Sequence, residues 1–151
     1  MSFAITLAAC GSSKGGDDTD GGNGKPDACV GLECRVVDCG KIGQPPTTLS
    51  GTVFAPNGTL PLYGITVYVP LSDPGVPADT LECDRCSSTL PGGAVAQATS
   101  GEDGKFRLEN VPVGDNIPIV ITSGKWQRKI TIPRVEQCVE TPMVAADTSL
   151  P

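Results

Sequence analysis

Ser50-Gly51-Thr52-Val53, then Pro61-Leu62-Tyr63-Gly64-Ile65-Thr66-Val67-Tyr68-Val69, then Thr99 and Gly104-Lys105-Phe106-Arg107-Leu108-Glu109-Asn110-Val111-Pro112-Val113-Gly114 form one split pattern whose period decides the fold. Ile65, Val67 and Val69 alternate with Thr66 and Tyr68, as a strand with one buried face requires. Phe106 and Leu108 alternate in the same way with Lys105, Arg107 and Glu109, and Ile130 and Ile132 with Lys129 and Thr131. The run from Ile117 to Ile121 is apolar nearly throughout, and Pro118 limits pairing near its start, which predicts a strand that begins at a sheet edge and enters the core. Turn chemistry separates these segments at Pro56-Asn57-Gly58, Gly101-Glu102-Asp103-Gly104, Val113-Gly114-Asp115-Asn116 and Ser123-Gly124. Short strands at this spacing predict an all-β, antiparallel Greek-key sandwich of about seven strands. No segment has ten residues of helical periodicity free of Gly and Pro.

The composition limits the core. Of 151 residues, 19 are Gly and 14 Pro, and aromatics make up only 4%, which is enough apolar material for one sandwich of about 90 to 100 residues. It is placed at 47–140, with a tail at 141–151. So small a core leaves room for disulfides to contribute. The net charge of −6 argues against nucleic acid as a partner. With no His in the chain, Ser-His and Cys-His catalysis and His-bearing metal sites are excluded. The expectation is therefore no catalytic residues, no metal and no cofactor.

The split pattern resembles the carboxypeptidase regulatory-like domains, small transthyretin-type sandwiches, also described as carbohydrate-binding-like, of secreted and cell-surface proteins. The resemblance covers about residues 48–135. It implies a fold and an accessory role, because in metallocarboxypeptidases this domain accompanies a separate zinc domain that this chain lacks. More narrowly, the chain is similar to Cys-rich surface lipoproteins of myxobacterial type, in which a Gly-Lys-Trp motif (Gly124-Lys125-Trp126) and a Cys-Asp-x-Cys loop (Cys83-Asp84-Arg85-Cys86) accompany the sandwich. Those relatives continue past the position of Pro151, which implies a truncated C-terminus.

Leu7-Ala8-Ala9-Cys10, followed by Gly11-Ser12-Ser13, resembles the lipobox of a bacterial lipoprotein. That resemblance implies diacylation of the Cys10 thiol, cleavage before it and an outer-membrane or cell-surface address in the envelope. Two or more acyl chains hold a protein stably on a membrane where one does not. Met1 to Thr6 carries no Lys or Arg and is too short for a complete signal, which implies a start assigned too far downstream. The region 1–10 is thus read as a signal remnant, and 11–28, rich in Gly and Asp, as a flexible tether. Asp18, Asp20 and Asn23 fail the EF-hand spacing, since Cys29 stands where Glu is needed. Asn57-Gly58-Thr59 has the form of a glycosylation sequon and reads as a hairpin turn.

Setting Cys10 aside leaves Cys29, Cys34, Cys39, Cys83, Cys86 and Cys138. In an exported chain an even count predicts up to three disulfides, with fifteen pairings open. Cys29, Cys34 and Cys39 lie in a collar at 29–46, expected to be pinned to the domain. Two sharper readings compete. Cys83 and Cys86 have redox-centre spacing, but they lie in a loop rich in Pro and Gly beside Glu82 and Asp84, which disfavour the thiolate. A four-thiolate zinc site from Cys83, Cys86 and two collar cysteines requires reduced thiols that export opposes.

Lys125, Trp126, Arg128, Lys129 and Arg134 bring four of the eleven basic residues and the single Trp into ten positions. One reading is a patch of Lys125, Trp126, Arg128 and Lys129 for an anionic glycan or lipid headgroup. The other is a ring capping the core and a solvated, charged edge strand. Tyr63 and Tyr68 pose the same choice between an exposed carbohydrate platform and packing. An internal Lys-Asn isopeptide, as in collagen-adhesin B-type sandwiches, is disfavoured because Lys41 precedes the first strand and no Asn follows Asn116. The sequence as a whole predicts a non-catalytic, lipid-anchored surface module for binding or assembly, with a glycan or an envelope protein as its partner. The alternatives are a structural spacer or fragment, and an extracytoplasmic thiol or zinc protein.

Overall fold

The period-two segments form strands at the expected places. The computed structural model describes residues 29–77 and 90–151. Cys10, the tether at 11–28, and Cys83 and Cys86 lie outside the described residues. The strands are β1 (Thr48–Thr52), β2 (Thr66–Pro70), β3 (Ala94–Thr99), β4 (Lys105–Glu109), β5 (Gly114–Ser123), β6 (Trp126–Val135) and β7 (Glu140–Pro142). They make a β-sandwich of two sheets, one ordered β4-β1-β7 and the other β3-β2-β5-β6.

Leu49, Val53, Val67, Val69, Phe106, Leu108, Ile117, Ile119 and Ile121 meet between the sheets. The chain must come close to Phe106 to close this core. A Cβ on Gly51, which pairs with Phe106 across β1 and β4, would stand 3.1 Å from the ring, so only glycine fits without movement. Pro118 lies where β5 extends beyond its pairing with β2, which covers only Val120 to Thr122 of β5. There the missing N–H leaves one sheet neighbour unaffected, as expected.

Two features depart from the sequence reading, and a third adds to it. First, the pairing is not wholly antiparallel: β7 runs parallel to β1, Thr48 opposite Glu140. The chain leaves β6 at one end of the sandwich and enters the other sheet there, and it therefore runs in the direction of β1. Second, residues 141–151 are part of the sandwich rather than a tail. A single helical turn, α1 (Ala145–Thr148), brings Thr148 into full burial, where its hydroxyl donates to the Thr52 carbonyl at 2.6 Å. Leu150 enters the core, its N–H donating to the Phe54 carbonyl at 2.9 Å. Third, the collar folds into two 3₁₀ turns, Gly31–Arg35 and Cys39–Ile42.

Two disulfides hold the collar. Cys29–Cys34 closes a five-residue separation within it, and Cys39–Cys138 ties it to the segment between β6 and β7 across a separation of 99. Cys138 adopts φ 57°, in the left-handed region, and its N–H donates to the Thr47 hydroxyl at 2.9 Å. Thr47 itself is fully buried.

Candidate functional site

The register sorts the loops to two ends of the sandwich. Thr66 pairs with Thr99 and Thr122, and Thr52 pairs with Lys105. The 53–65 loop, the 100–104 turn and the β5–β6 turn therefore emerge together, at an end called the tip. The collar, the base of the 71–93 loop and Cys138 lie at the other end.

Two aromatic rings are exposed at the tip. Tyr63 is 71% and Trp126 58% accessible. Both sit on backbone that is locked by hydrogen bonds. Around Tyr63 the agent is Ser100, almost fully buried, whose hydroxyl donates to the Leu62 carbonyl at 2.6 Å and accepts the Ile65 N–H at 2.9 Å. Its carbonyl also accepts the Gly64 N–H at 3.0 Å, so the residues on both sides of Tyr63 are bound to one serine. The neighbouring turn requires Gly104, at φ 73°, where a Cβ would stand 2.7 Å from Pro61. Trp126 follows a two-residue hairpin connection with Gly124 at φ 57° in its first central position, the place where such turns favour glycine. The 53–65 loop also holds the Asn57 turn, in which the side-chain oxygen accepts the N–H groups of Thr59 and Leu60 at 3.1 Å.

The structure divides the basic segment rather than gathering it. Arg128 pairs with Ile121 on the core-facing side of β6 and reaches the C-terminal segment, donating to the Ser149 carbonyl at 2.6 Å and the Ala146 carbonyl at 2.7 Å. Lys129 lies on the opposite face, and its Nζ contacts Asp73 Oδ1 at 2.6 Å. That ammonium, with the Gly75 N–H, holds the Asp73 carboxyl below its ordinary range. Arg134 pairs with Asp115 at 3.3 Å. Lys125, in the turn, has no ion pair among the described residues. Of the proposed patch, Lys125 and Trp126 remain together at the tip, while Arg128 and Lys129 are occupied on different faces. Trp126 does not cap the core.

Tyr68 takes the packing role. It is fully buried although it faces outward from the β3-β2-β5-β6 sheet, and its hydroxyl donates to the Pro91 carbonyl at 3.0 Å. Burial raises its pKa, opposed by a hydrogen bond from Gln127. Between the Pro70–Pro74 segment, Leu32 of the collar and the Pro118–Val120 stretch lies a groove of about 350 Å³, with Lys129 at its wall.

On the outer face of the other sheet, Ser50 donates to Glu140 at 2.5 Å, and Arg107 binds Glu140 at 2.8 Å and Glu109 at 3.3 Å. The Ser50 hydroxyl, then Arg107, keep the Glu140 carboxyl below its ordinary range. This is a solvated network in which every member has a partner. The three collar cysteines and Cys138 are all in disulfides, which leaves no collar thiolate to share a zinc ion with Cys83 and Cys86. Among the described residues no group of three His, Cys, Asp or Glu is placed to hold a metal.

The sequence reading missed Ser100 and Thr148, which organise the tip and the C-terminal segment. Neither stands in a motif, because their roles depend on contacts to residues 35 or more positions away. The chain matches no family model, no curated protein and no solved structure.

Proposed function

We propose that this chain is a non-catalytic binding module of the carboxypeptidase regulatory-like kind, exported, anchored by lipid at Cys10 and presenting its tip away from the membrane to a glycan or envelope component. The observation that carries this reading is the pair of solvent-exposed rings, Tyr63 and Trp126, on hydrogen-bonded backbone at one end of the sandwich. An exposed aromatic face on a rigid support loses little conformational entropy on contact, which is what a binding surface needs. The address is supported by the Leu7-Ala8-Ala9-Cys10 sequence and by two disulfides, which persist in oxidising compartments. The collar joins the sandwich opposite the tip, the arrangement that a tethered, outward-facing binder requires.

The test has two parts. Expressed with its full upstream leader, the mature protein is expected to begin at acylated Cys10 and to expose six alkylatable thiols only after reduction, as read by intact mass spectrometry. The purified domain is expected to co-sediment with isolated cell envelopes, and Tyr63→Ala with Trp126→Ala to abolish this. Equal sedimentation of the double variant, or none by the wild type, removes the binding role and leaves a spacer.

A further inference from the structure

The two disulfides differ in where they stand and in what they hold. Cys29 and Cys34 are both exposed, and their bridge closes the first turn of the collar across a sequence separation of only 5. Cys39 is 2% exposed and Cys138 half-buried, and their bridge spans a separation of 99. The Cys39 sulfur lies 3.6 Å from the hydroxyl of Thr47, itself fully buried. The turn Gly31–Arg35, which Cys29–Cys34 closes, buries none of its own residues fully. What ties it to the sandwich is Leu32, half-buried against the edge of the core and forming one wall of the groove, and the Arg35 carbonyl, which accepts the Val113 N–H at 2.9 Å. A 3₁₀ turn of 5 residues has poor hydrogen-bond geometry and little stability of its own, so its shape depends on the cross-link.

We infer that Cys29–Cys34 is a thiol–disulfide exchange site, and that its reduction by a dithiol releases the first collar turn, Leu32 with it, from the sandwich. The inference does not depend on the binding role of the tip. Exchange requires a thiolate to reach a sulfur of the bridge, so an exposed cystine reacts where a buried one is shielded. Glu33 and Arg35, both exposed, flank Cys34, and their opposite charges offset each other as the anion approaches. One thiolate of the dithiol attacks a sulfur of the bridge. The S–S bond breaks, a mixed disulfide forms, and the other cysteine leaves as a thiolate that takes up a proton. The second thiolate of the dithiol then displaces the first cysteine, so the cystine gains two electrons and two protons and the dithiol becomes a disulfide. Cys29 and Cys34 remain on one short segment, so an oxidant recloses the bridge at little entropic cost. Cys39–Cys138 stays closed throughout and keeps the rest of the collar on the domain.

Trypsin separates the two bridges by sequence: Cys29 and Cys34 share the peptide that ends at Arg35, Cys39 lies in Val36–Lys41, and Cys138 in Val135–Pro151. The folded protein is treated with dithiothreitol for increasing times, quenched with iodoacetamide and mapped by mass spectrometry. Cys29 and Cys34 are expected to be alkylated about tenfold or more faster than Cys39 and Cys138. All four reacting in step, Cys39 and Cys138 reacting first, or no alkylation short of unfolding overturns the exchange site. So does a protein whose Cys29 and Cys34 are alkylated without reductant. On the partly reduced protein, amide exchange at Val113 is expected to quicken about tenfold or more. Exchange at Thr48, whose N–H donates to the Val139 carbonyl beside the retained bridge, should stay as it was. Cys29→Ser with Cys34→Ser, which cannot reclose, is expected to give the same exchange pattern without reductant. Unchanged exchange at Val113 in both preparations overturns release of the turn. Quickening at Val113 and Thr48 alike means that the whole collar loosens, and overturns the division between the two bridges.

Discussion

The two ends of this sandwich are held by different means. At the collar end, Cys39–Cys138 joins segments 99 positions apart, Thr47 is fully buried, and a second disulfide closes the collar on itself. At the tip no cystine is found among the described residues. The loops there are held by Ser100, by the Gly104 turn and by Arg128 gripping the C-terminal segment. The covalent end carries the collar, and the hydrogen-bonded end carries the exposed rings. A small, aromatic-poor core needs a cross-link somewhere. Placing it opposite the rings lets the tip be shaped by turns rather than by cystines.

The largest expected effect comes from removing the long cross-link. By chain entropy, a closed loop of this length is worth about 4 to 5 kcal/mol, and loss of a native disulfide from a small exported domain costs about 2 to 5. Cys39→Ala with Cys138→Ala is expected to lower the urea midpoint by a corresponding amount. Below the new transition, tip binding should be unchanged. Loss of binding in the folded variant would show that the two ends are coupled, and the contrast between them would fail.

The tip has its own weak point. Ser100→Ala leaves the Ile65 N–H and the Leu62 carbonyl without their partner in a buried setting, a cost of about 1 to 3 kcal/mol. Here binding should fall together with stability, because Tyr63 lies between the two groups released. Equilibrium unfolding and envelope sedimentation on the same preparation check both halves of this expectation.

What was legible in advance follows the same division. The strands around Val67, Phe106, Ile119 and Ile132 were readable because alternation over five or more residues is a local signal. β3 was harder: Ala94-Val95-Ala96-Gln97-Ala98-Thr99 has small side chains and weak contrast between its faces. β7 is three residues long and contains Pro142, too short for any period, and it exists because β1 offers it an edge. The exposed Trp126 and buried Tyr68 could not be told apart by type. Their fates are decided by Gly124, which turns the chain just before Trp126, and by Pro91, which covers Tyr68 from a distant loop. The basic cluster was visible as composition. Its division between two faces depended on strand register and on the position of the C-terminal segment.

That division gives a third test. Arg128→Met removes two charge-assisted hydrogen bonds to carbonyls of the C-terminal segment and is expected to cost about 1 to 3 kcal/mol. It should also speed amide exchange at Phe54 and Leu150, whose hydrogen bonds tie that segment to the tip. Lys129→Met removes one surface ion pair and should stay within about 0.5 kcal/mol. Equal effects from the two variants would mean that they act as one patch after all.

The smallest effect is that of acid. Asp73, Asp103 and Glu140 all have carboxyls held below their ordinary values, chiefly by Lys129, Lys105 and Ser50 in turn. A carboxyl with a depressed folded-state pKa binds protons less readily when folded than when unfolded. Its contribution is present above the unfolded pKa and disappears as the pH falls through the folded value. The domain should therefore melt at a slightly lower temperature as the pH drops below the ordinary carboxylate range, and added salt should blunt the change because all three groups are exposed. Asp73 and Glu140 belong to the collar end and Asp103 to the tip. Asp73→Asn with Glu140→Gln is accordingly expected to flatten more of the acid slope than Asp103→Asn. Should Asp103→Asn flatten more, the charge network of the tip outweighs that of the disulfide-bound end, and the collar's advantage in stability is covalent alone.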